Sequence, residues 1–201
     1  MTETGVRSTR TWWPPGRVAQ GVYLLVVGVA WSAYGVILLQ DPDYWEPVAV
    51  LDHASIWMYS LSLVLSGPAF IILVRRARAG SGATAVAWIL ALAGLVTGVG
   101  NAIEDGFDQE AFGLVYLAGV TPFFLGQILL AILLGLGDRK AYALVPLLTF
   151  GGALFFEHGG PILMGLTWIV FGVLVLAGRT AGRGRAPTRV PQPQRERTPE
   201  T

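Results

Sequence analysis

The sequence predicts an all-α integral membrane protein, a six-transmembrane-helix bundle whose N- and C-termini are both cytoplasmic. Three observations predict this fold class: an apolar composition, six apolar stretches, and a one-sided distribution of basic residues. Of the 201 residues, 53% are hydrophobic and 13% are charged, whereas a soluble domain has roughly 25% charged residues. A soluble fold of this size has too few polar residues here to cover its apolar surface.

A helix that crosses the hydrocarbon core needs roughly 20 mostly apolar residues at 1.5 Å of rise each. Six stretches qualify or nearly do. The predicted spans are residues 18–40, 56–74, 83–103, 111–136, 141–156 and 161–178. The first stretch is longer than the apolar region of a signal peptide, and no A-x-A-like cleavage site ends it.

The two ends of the chain are polar. Residues 1–17 are predicted to be a cytoplasmic N-terminal segment, and residues 18–178 the six-helix membrane domain. Residues 179–201 hold four prolines and six arginines without apolar periodicity, which predicts a disordered basic cytoplasmic tail. These arginines could contact anionic lipids. Except for Lys140 every basic residue is Arg, a bias typical of GC-rich genomes, so we expect a bacterial plasma-membrane protein.

The orientation follows from the positions of the charges. Basic residues precede the first span and follow spans two, four and six, so all of them fall on one side of a six-span arrangement. The loops on the other side contain no Lys or Arg but many acidic residues. Because basic residues are retained on the cytoplasmic side of a membrane, both termini are predicted to be cytoplasmic.

Glycines recur along four of the predicted spans at spacings of seven or four residues. Close backbone contact at small residues drives helix packing in lipid, so this spacing predicts a tightly packed bundle. The glycines concerned are Gly21, Gly28, Gly35, Gly94, Gly98, Gly119, Gly126, Gly165 and Gly172.

Several classes of chemistry have no support in the sequence. The chain contains no cysteine, which excludes disulfides, thiolate metal sites and cysteine nucleophiles. We find no phosphate-binding loop, zinc-protease helix or nucleophile elbow, and no cofactor motif is predicted. A net charge of +1 gives no reason to expect a nucleic-acid partner. The predicted partner is the lipid bilayer, with self-association or a second membrane protein left open.

The first candidate site lies at the outer end of the third span. Asn101, Glu104, Asp105 and Asp108 are spaced so that they share one face if the helix continues that far. Adjacent carboxylates repel each other, and such groups can hold a proton or a cation. The alternative is that these residues form an ordinary solvated outer loop.

The second candidate site is the turn between the fifth and sixth spans. The fifth span, residues 141–156, is only about 24 Å long as a helix, short of the roughly 30 Å core. Glu157 and His158 are therefore predicted at or below the outer interface, where a carboxylate beside an imidazole could relay protons or bind a cation. Local thinning of the bilayer, or a helix that starts deeper, would also explain the short span. His53 follows Asp52 on the same side and joins the candidates.

These features leave three functional hypotheses. The leading one is a small transporter, a channel-like protein or its accessory subunit, with an acidic outward-facing vestibule for protons or cations. The alternative is a non-catalytic structural or interaction protein, and the third is a membrane-embedded enzyme, for which no nucleophile and base can be assembled. No charged residue lies near the middle of a span, so a titrating group would have to lie near the outer end.

Overall fold

The computed structural model describes residues 16–40, 49–107 and 113–179. Within these ranges 89% of the residues are helical and none is in a strand. Six α-helices follow one another along the chain. They are α1 (Arg17–Leu38), α2 (Val50–Ala77), α3 (Ser81–Phe107), α4 (Gly113–Gly135), α5 (Leu144–Leu154) and α6 (Gly160–Leu176).

Four of these helices, α1 to α4, are long and apolar enough to cross a membrane. The stretches Lys140–Leu154 and Gly160–Leu176 are also apolar but shorter. The chain is therefore an apolar helical bundle with membrane-spanning character, as the composition predicted.

Two helices extend beyond their predicted bounds toward the candidate sites. α2 begins at Val50, six residues before the predicted start, because the buried Asp52 carboxylate accepts a hydrogen bond of 2.7 Å from the Ala49 N–H. A carboxylate in the first turn also interacts favourably with the helix dipole. α3 continues to Phe107, so Asn101, Glu104 and Asp105 all lie in its last two turns. Asp108, the N-terminal segment before Gly16 and the tail beyond Arg179 lie outside the described residues.

The fifth predicted span begins with a turn of 3₁₀ helix. Lys140–Ala143 adopts this tighter geometry, and α5 follows with only 11 residues. Pro146 has no N–H to donate to the Tyr142 carbonyl four residues earlier, which interrupts the regular α-helical hydrogen bonding at this point. Together the two pieces measure about 24 Å. The prediction that this segment is short is confirmed.

The helices pack in a closed circuit, each against the next along the chain, and α6 returns to α1. α2 is the most buried of the four long helices. On this helix, the Phe70 ring lies edge-on to Phe123 of α4 and Trp168 of α6, with centroid distances of 6.2 and 5.1 Å. Edge-to-face contacts of this kind stabilise a core beyond the area that they bury.

Glycines form the closest helix contacts, as their spacing predicted. A Cβ placed on Gly28 of α1 would lie 2.6 Å from the Gly165 carbonyl oxygen of α6, and one on Gly165 would lie 2.5 Å from the Gly28 carbonyl oxygen. Gly94 and Gly98 bring α3 equally close to the backbone of α2. Only residues without a side chain allow this separation.

The charges lie at opposite ends of the bundle. At one end, here called the basic end, Arg76 Nε donates to Gln20 Oε1 at 2.6 Å and Arg139 Nη1 donates to the Arg76 carbonyl at 3.0 Å. These contacts join the start of α1, the end of α2 and the linker before α5. At the other end, here called the acidic end, lie Asp52, His53, Glu104, Asp105, Glu157 and His158. Asp138 is an exposed carboxylate at the basic end.

Candidate functional site

The acidic ends of α2 and α3 bring three of the candidate residues to one level. These helices run antiparallel, and a Cβ on Gly98 would lie 2.6 Å from the Ser60 carbonyl oxygen. Seven residues further toward the acidic end, the same register places Asp105 at about the level of His53. Glu104 and Asp105 are half-buried, whereas His53 is exposed. Two carboxylates and one imidazole therefore lie at the same height on adjacent helices.

Asn101 joins α3 to α2 through a side-chain hydrogen bond. Its side chain is buried, and Nδ2 donates a hydrogen bond of 3.0 Å to Ser60 Oγ. A hydrogen bond between two membrane helices contributes roughly 0.6 kcal/mol on average. The structure thus gives this predicted site residue a packing role one turn below the carboxylates.

Glu104 lies directly against Gly113, the first residue of α4. A Cβ on Gly113 would overlap the Glu104 carboxylate, so this approach depends on glycine. The position of Glu104 is therefore fixed by two helices, its own and the next along the chain.

A pair of tyrosines lies close to these carboxylates. The hydroxyls of Tyr59 on α2 and Tyr116 on α4 are 3.2 Å apart. The Glu104 carboxylate lies close enough to the Tyr116 hydroxyl to interact with it electrostatically, and the Asp105 carboxylate interacts in the same way with both tyrosine hydroxyls. Sequence reasoning missed this pair because its members are 57 positions apart and each resembles an ordinary interfacial aromatic residue.

A ring from the turn between α5 and α6 contacts residues that lie deeper than the carboxylates. The centroid of the Phe156 ring lies 5.6 Å from the ring centroids of both Tyr34 and Tyr59. Tyr59 is nine residues into α2, about 13 Å below the first residue of that helix. Gly159, with a φ of 83°, then reverses the chain into α6. We call Tyr34, Tyr59, Tyr116 and Phe156 the tyrosine cluster.

The described candidates therefore form two groups on different elements. His53, Glu104 and Asp105 lie at the acidic ends of α2 and α3, while Glu157 and His158 follow Phe156 in the turn, where both side chains are exposed. Among the described residues, no three His, Asp or Glu side chains come close enough to hold a metal ion.

A second polar contact lies in the middle of the bundle. Gln127 of α4 is fully buried, and its Oε1 accepts a hydrogen bond of 2.8 Å from the Thr149 hydroxyl of α5. Its Nε2 has no hydrogen-bond partner among the described residues. Gln127 lies in the interior of the predicted span 111–136, but its spacing to Thr149 carries no signal of the contact.

Comparisons of the chain with protein-family models, with curated proteins and with solved structures found no match.

Proposed function

We propose that the chain crosses the membrane six times, with both termini in the cytoplasm of a bacterium and the acidic end outside. Two features support the topology: α1 to α6 run alternately between the two ends, and the described Lys and Arg side chains all lie at the basic end. The positive-inside tendency then assigns the basic end to the cytoplasm. α5 and α6, although short, cross by local thinning of the bilayer or by tilting of their neighbours.

We further propose that the protein is a small transporter or channel-like protein, or an accessory subunit of one, that admits protons or cations at its acidic end. The observation that carries this proposal is the difference in depth between the carboxylates and the tyrosine cluster. Glu104 and Asp105 stand at the rim, and the tyrosine cluster lies about one to two helical turns below them. The recess between the two levels is the proposed vestibule.

The chemistry of the vestibule follows from its charges. Carboxylates at the mouth of a recess raise the local concentration of cations. Below them, the hydroxyls of Tyr59 and Tyr116 are hydrogen-bonded to each other. Such hydroxyls can transfer a proton, and their oxygens can coordinate a cation that has lost part of its hydration shell. Because no charged side chain lies near mid-span, the charged step of the cycle belongs at this rim.

Flux measurements on the purified full-length protein in liposomes test this proposal. We expect proton or cation flux above that of empty vesicles, and a severalfold loss in the Glu104→Gln/Asp105→Asn double variant. Asp138→Asn is the matched control, since it removes an exposed carboxylate at the basic end. Absence of flux for every ion tested, or equal losses in the variant and the control, would contradict the proposal.

A second candidate function is a structural or interaction protein. It is favoured by the roles already found for two candidates, since Asn101 binds Ser60 and Glu104 lies against the start of α4. On this alternative the acidic end has only topological meaning. The double variant would then lose thermal stability while no ion flux is measured in either protein.

A further inference from the structure

A groove on the lipid-facing side of the bundle runs between α5 and α6. Its volume is about 660 Å³, and it extends to the basic end from Leu163 in the first turn of α6 and from Leu148 in the middle of α5. On α6 its wall is a row of exposed apolar side chains at Leu163, Leu166, Val170 and Leu174. The one hydroxyl in this wall, Thr167 Oγ1, donates to the Leu163 carbonyl at 2.8 Å. The groove therefore offers an almost wholly apolar surface.

The length of the groove matches one leaflet of a bilayer. Leu163 and Leu174 are eleven residues apart, which is about 16 Å along a helix axis. Half of a hydrocarbon core of roughly 30 Å is about the same length. α5 and α6 meet most closely near the acidic end, where a Cβ on Gly152 would lie 2.6 Å from the Gly160 carbonyl oxygen, and the groove lies between them toward the basic end.

Two arginines close the polar end of the groove. Arg139 is held in place by its bond to the Arg76 carbonyl, and Arg179 follows α6 with an exposed side chain. A guanidinium matches the geometry of a phosphate group better than any other side chain. Lys140 offsets the charge of the neighbouring Asp138, so the mouth of the groove is positive.

We propose that this groove binds one anionic phospholipid, with an acyl chain between α5 and α6 and the phosphate at Arg139 and Arg179. The apolar groove has the length of one leaflet, which matches the acyl chain. The arginines at its basic end match the charge of the phosphate. The site differs from a contact of the Arg-rich tail with the membrane surface, which needs no groove. It requires that the bundle lie in a bilayer but does not depend on the acidic vestibule.

Native mass spectrometry of the full-length protein in non-ionic detergent tests the site. The protein is titrated with phosphatidylglycerol, with phosphatidylcholine of the same acyl chains, and with glycerol phosphate, which lacks the chains. We expect one tightly retained phosphatidylglycerol, weaker retention of phosphatidylcholine and no retention of glycerol phosphate. Equal retention of both lipids, or retention of glycerol phosphate alone, would overturn the proposal.

Two variants separate the two halves of the site. Arg139→Gln/Arg179→Gln should weaken phosphatidylglycerol binding by roughly tenfold to thirtyfold. Arg75→Gln/Arg78→Gln is the matched control, because it removes two exposed charges at the same end outside the groove. Val170→Trp fills the groove from an exposed position and should weaken both lipids. Unchanged binding in Val170→Trp, or equal loss in the control, would show that no groove site exists.

Discussion

Gln127 is a buried amide that uses only part of its hydrogen-bonding capacity. Its oxygen accepts from Thr149, but its nitrogen has no partner in the described part of the chain. An unsatisfied buried donor costs roughly 1–3 kcal/mol. The Thr149 hydroxyl also lies 3.0 Å from the Val145 carbonyl, so it keeps an acceptor if Gln127 is removed. The amide therefore costs stability at this position.

Replacement of Gln127 by Met should stabilise the protein by about 1 kcal/mol, because it removes an unpaired donor and orphans no partner. Asn101→Leu is the opposite case, since it breaks the buried bond to Ser60 and should cost roughly 0.6 kcal/mol or more. Thermal unfolding in detergent, followed by circular dichroism, measures both. A large loss of stability in Gln127→Met would contradict the prediction and indicate that the amide nitrogen has a partner in the folded protein.

At the scale of residues, the sequence could predict which side chains are unusual but not which ones meet. Asn101, Glu104 and Asp105 follow a helical spacing, so their common face was readable from the chain itself. Asn101 and Ser60 are 41 positions apart, and their contact depends on the register between two helices. That register is determined by Gly98, whose close approach to α2 no local pattern specifies.

At the scale of elements, the contact between α1 and α6 depends on paired glycines. A Cβ on Gly28 would lie 2.6 Å from one backbone oxygen and 2.8 Å from the Ile169 nitrogen, so the two helices would have to separate. Gly151 of α5 provides a control, because a Cβ there meets nothing within 4 Å. Both positions lie inside helices, so their intrinsic preference for Ala is the same.

We expect Gly28→Ala to destabilise the protein by about 1–3 kcal/mol through overpacking. Gly151→Ala should be neutral or stabilising by up to about 1 kcal/mol, which is the difference in helix propensity. Unfolding by an increasing fraction of denaturing detergent measures the difference. Equal stability of the two variants would contradict the helix contact described for α1 and α6.

Hydropathy located each element, and side-chain chemistry then changed its bounds. The start of α2 was predicted too late because Asp52 and His53 resemble loop residues, whereas the Asp52 carboxylate binds the N-terminus of the helix. The shortness of the fifth span was predicted from the number of residues in its apolar stretch alone. Its initial 3₁₀ turn was not, although Pro146 carries the physical signal for it.

At the scale of the whole molecule, the separation of charge and the packing circuit arise from different parts of the sequence. The alternation of basic and acidic loops was readable from the order of residues, because each span reverses the direction of the chain. The return of α6 to α1 was not, since regularly spaced glycines occur in four spans and do not specify partners. The candidate sites share this limit: their common end was predicted, whereas the contacts of Phe156 with Tyr34 and Tyr59 were not.

The six-span topology makes a prediction that the absence of cysteine makes easy to test. Single variants introduce one thiol each, and the cysteine-free chain itself is the unlabelled control. His53→Cys and His158→Cys should react with a membrane-impermeant maleimide in intact cells, because both positions are exposed at the acidic end. Ser81→Cys and Asp138→Cys, exposed at the basic end, should react only after permeabilisation.

The labelling of His158→Cys decides between two arrangements of the short helices. If α5 and α6 cross the membrane, this thiol is accessible from outside, like that of His53→Cys. If they only dip into the membrane from the basic end, its position is surrounded by hydrocarbon and it stays unlabelled in intact and permeabilised cells. Lys140–Leu154 provides about 24 Å of helix against a core of roughly 30 Å, so crossing requires the bilayer to thin by several Å there. Mismatch costs only fractions of a kcal/mol per Å, less than burial of Glu157 and His158 in hydrocarbon. We therefore expect His158→Cys to react from outside.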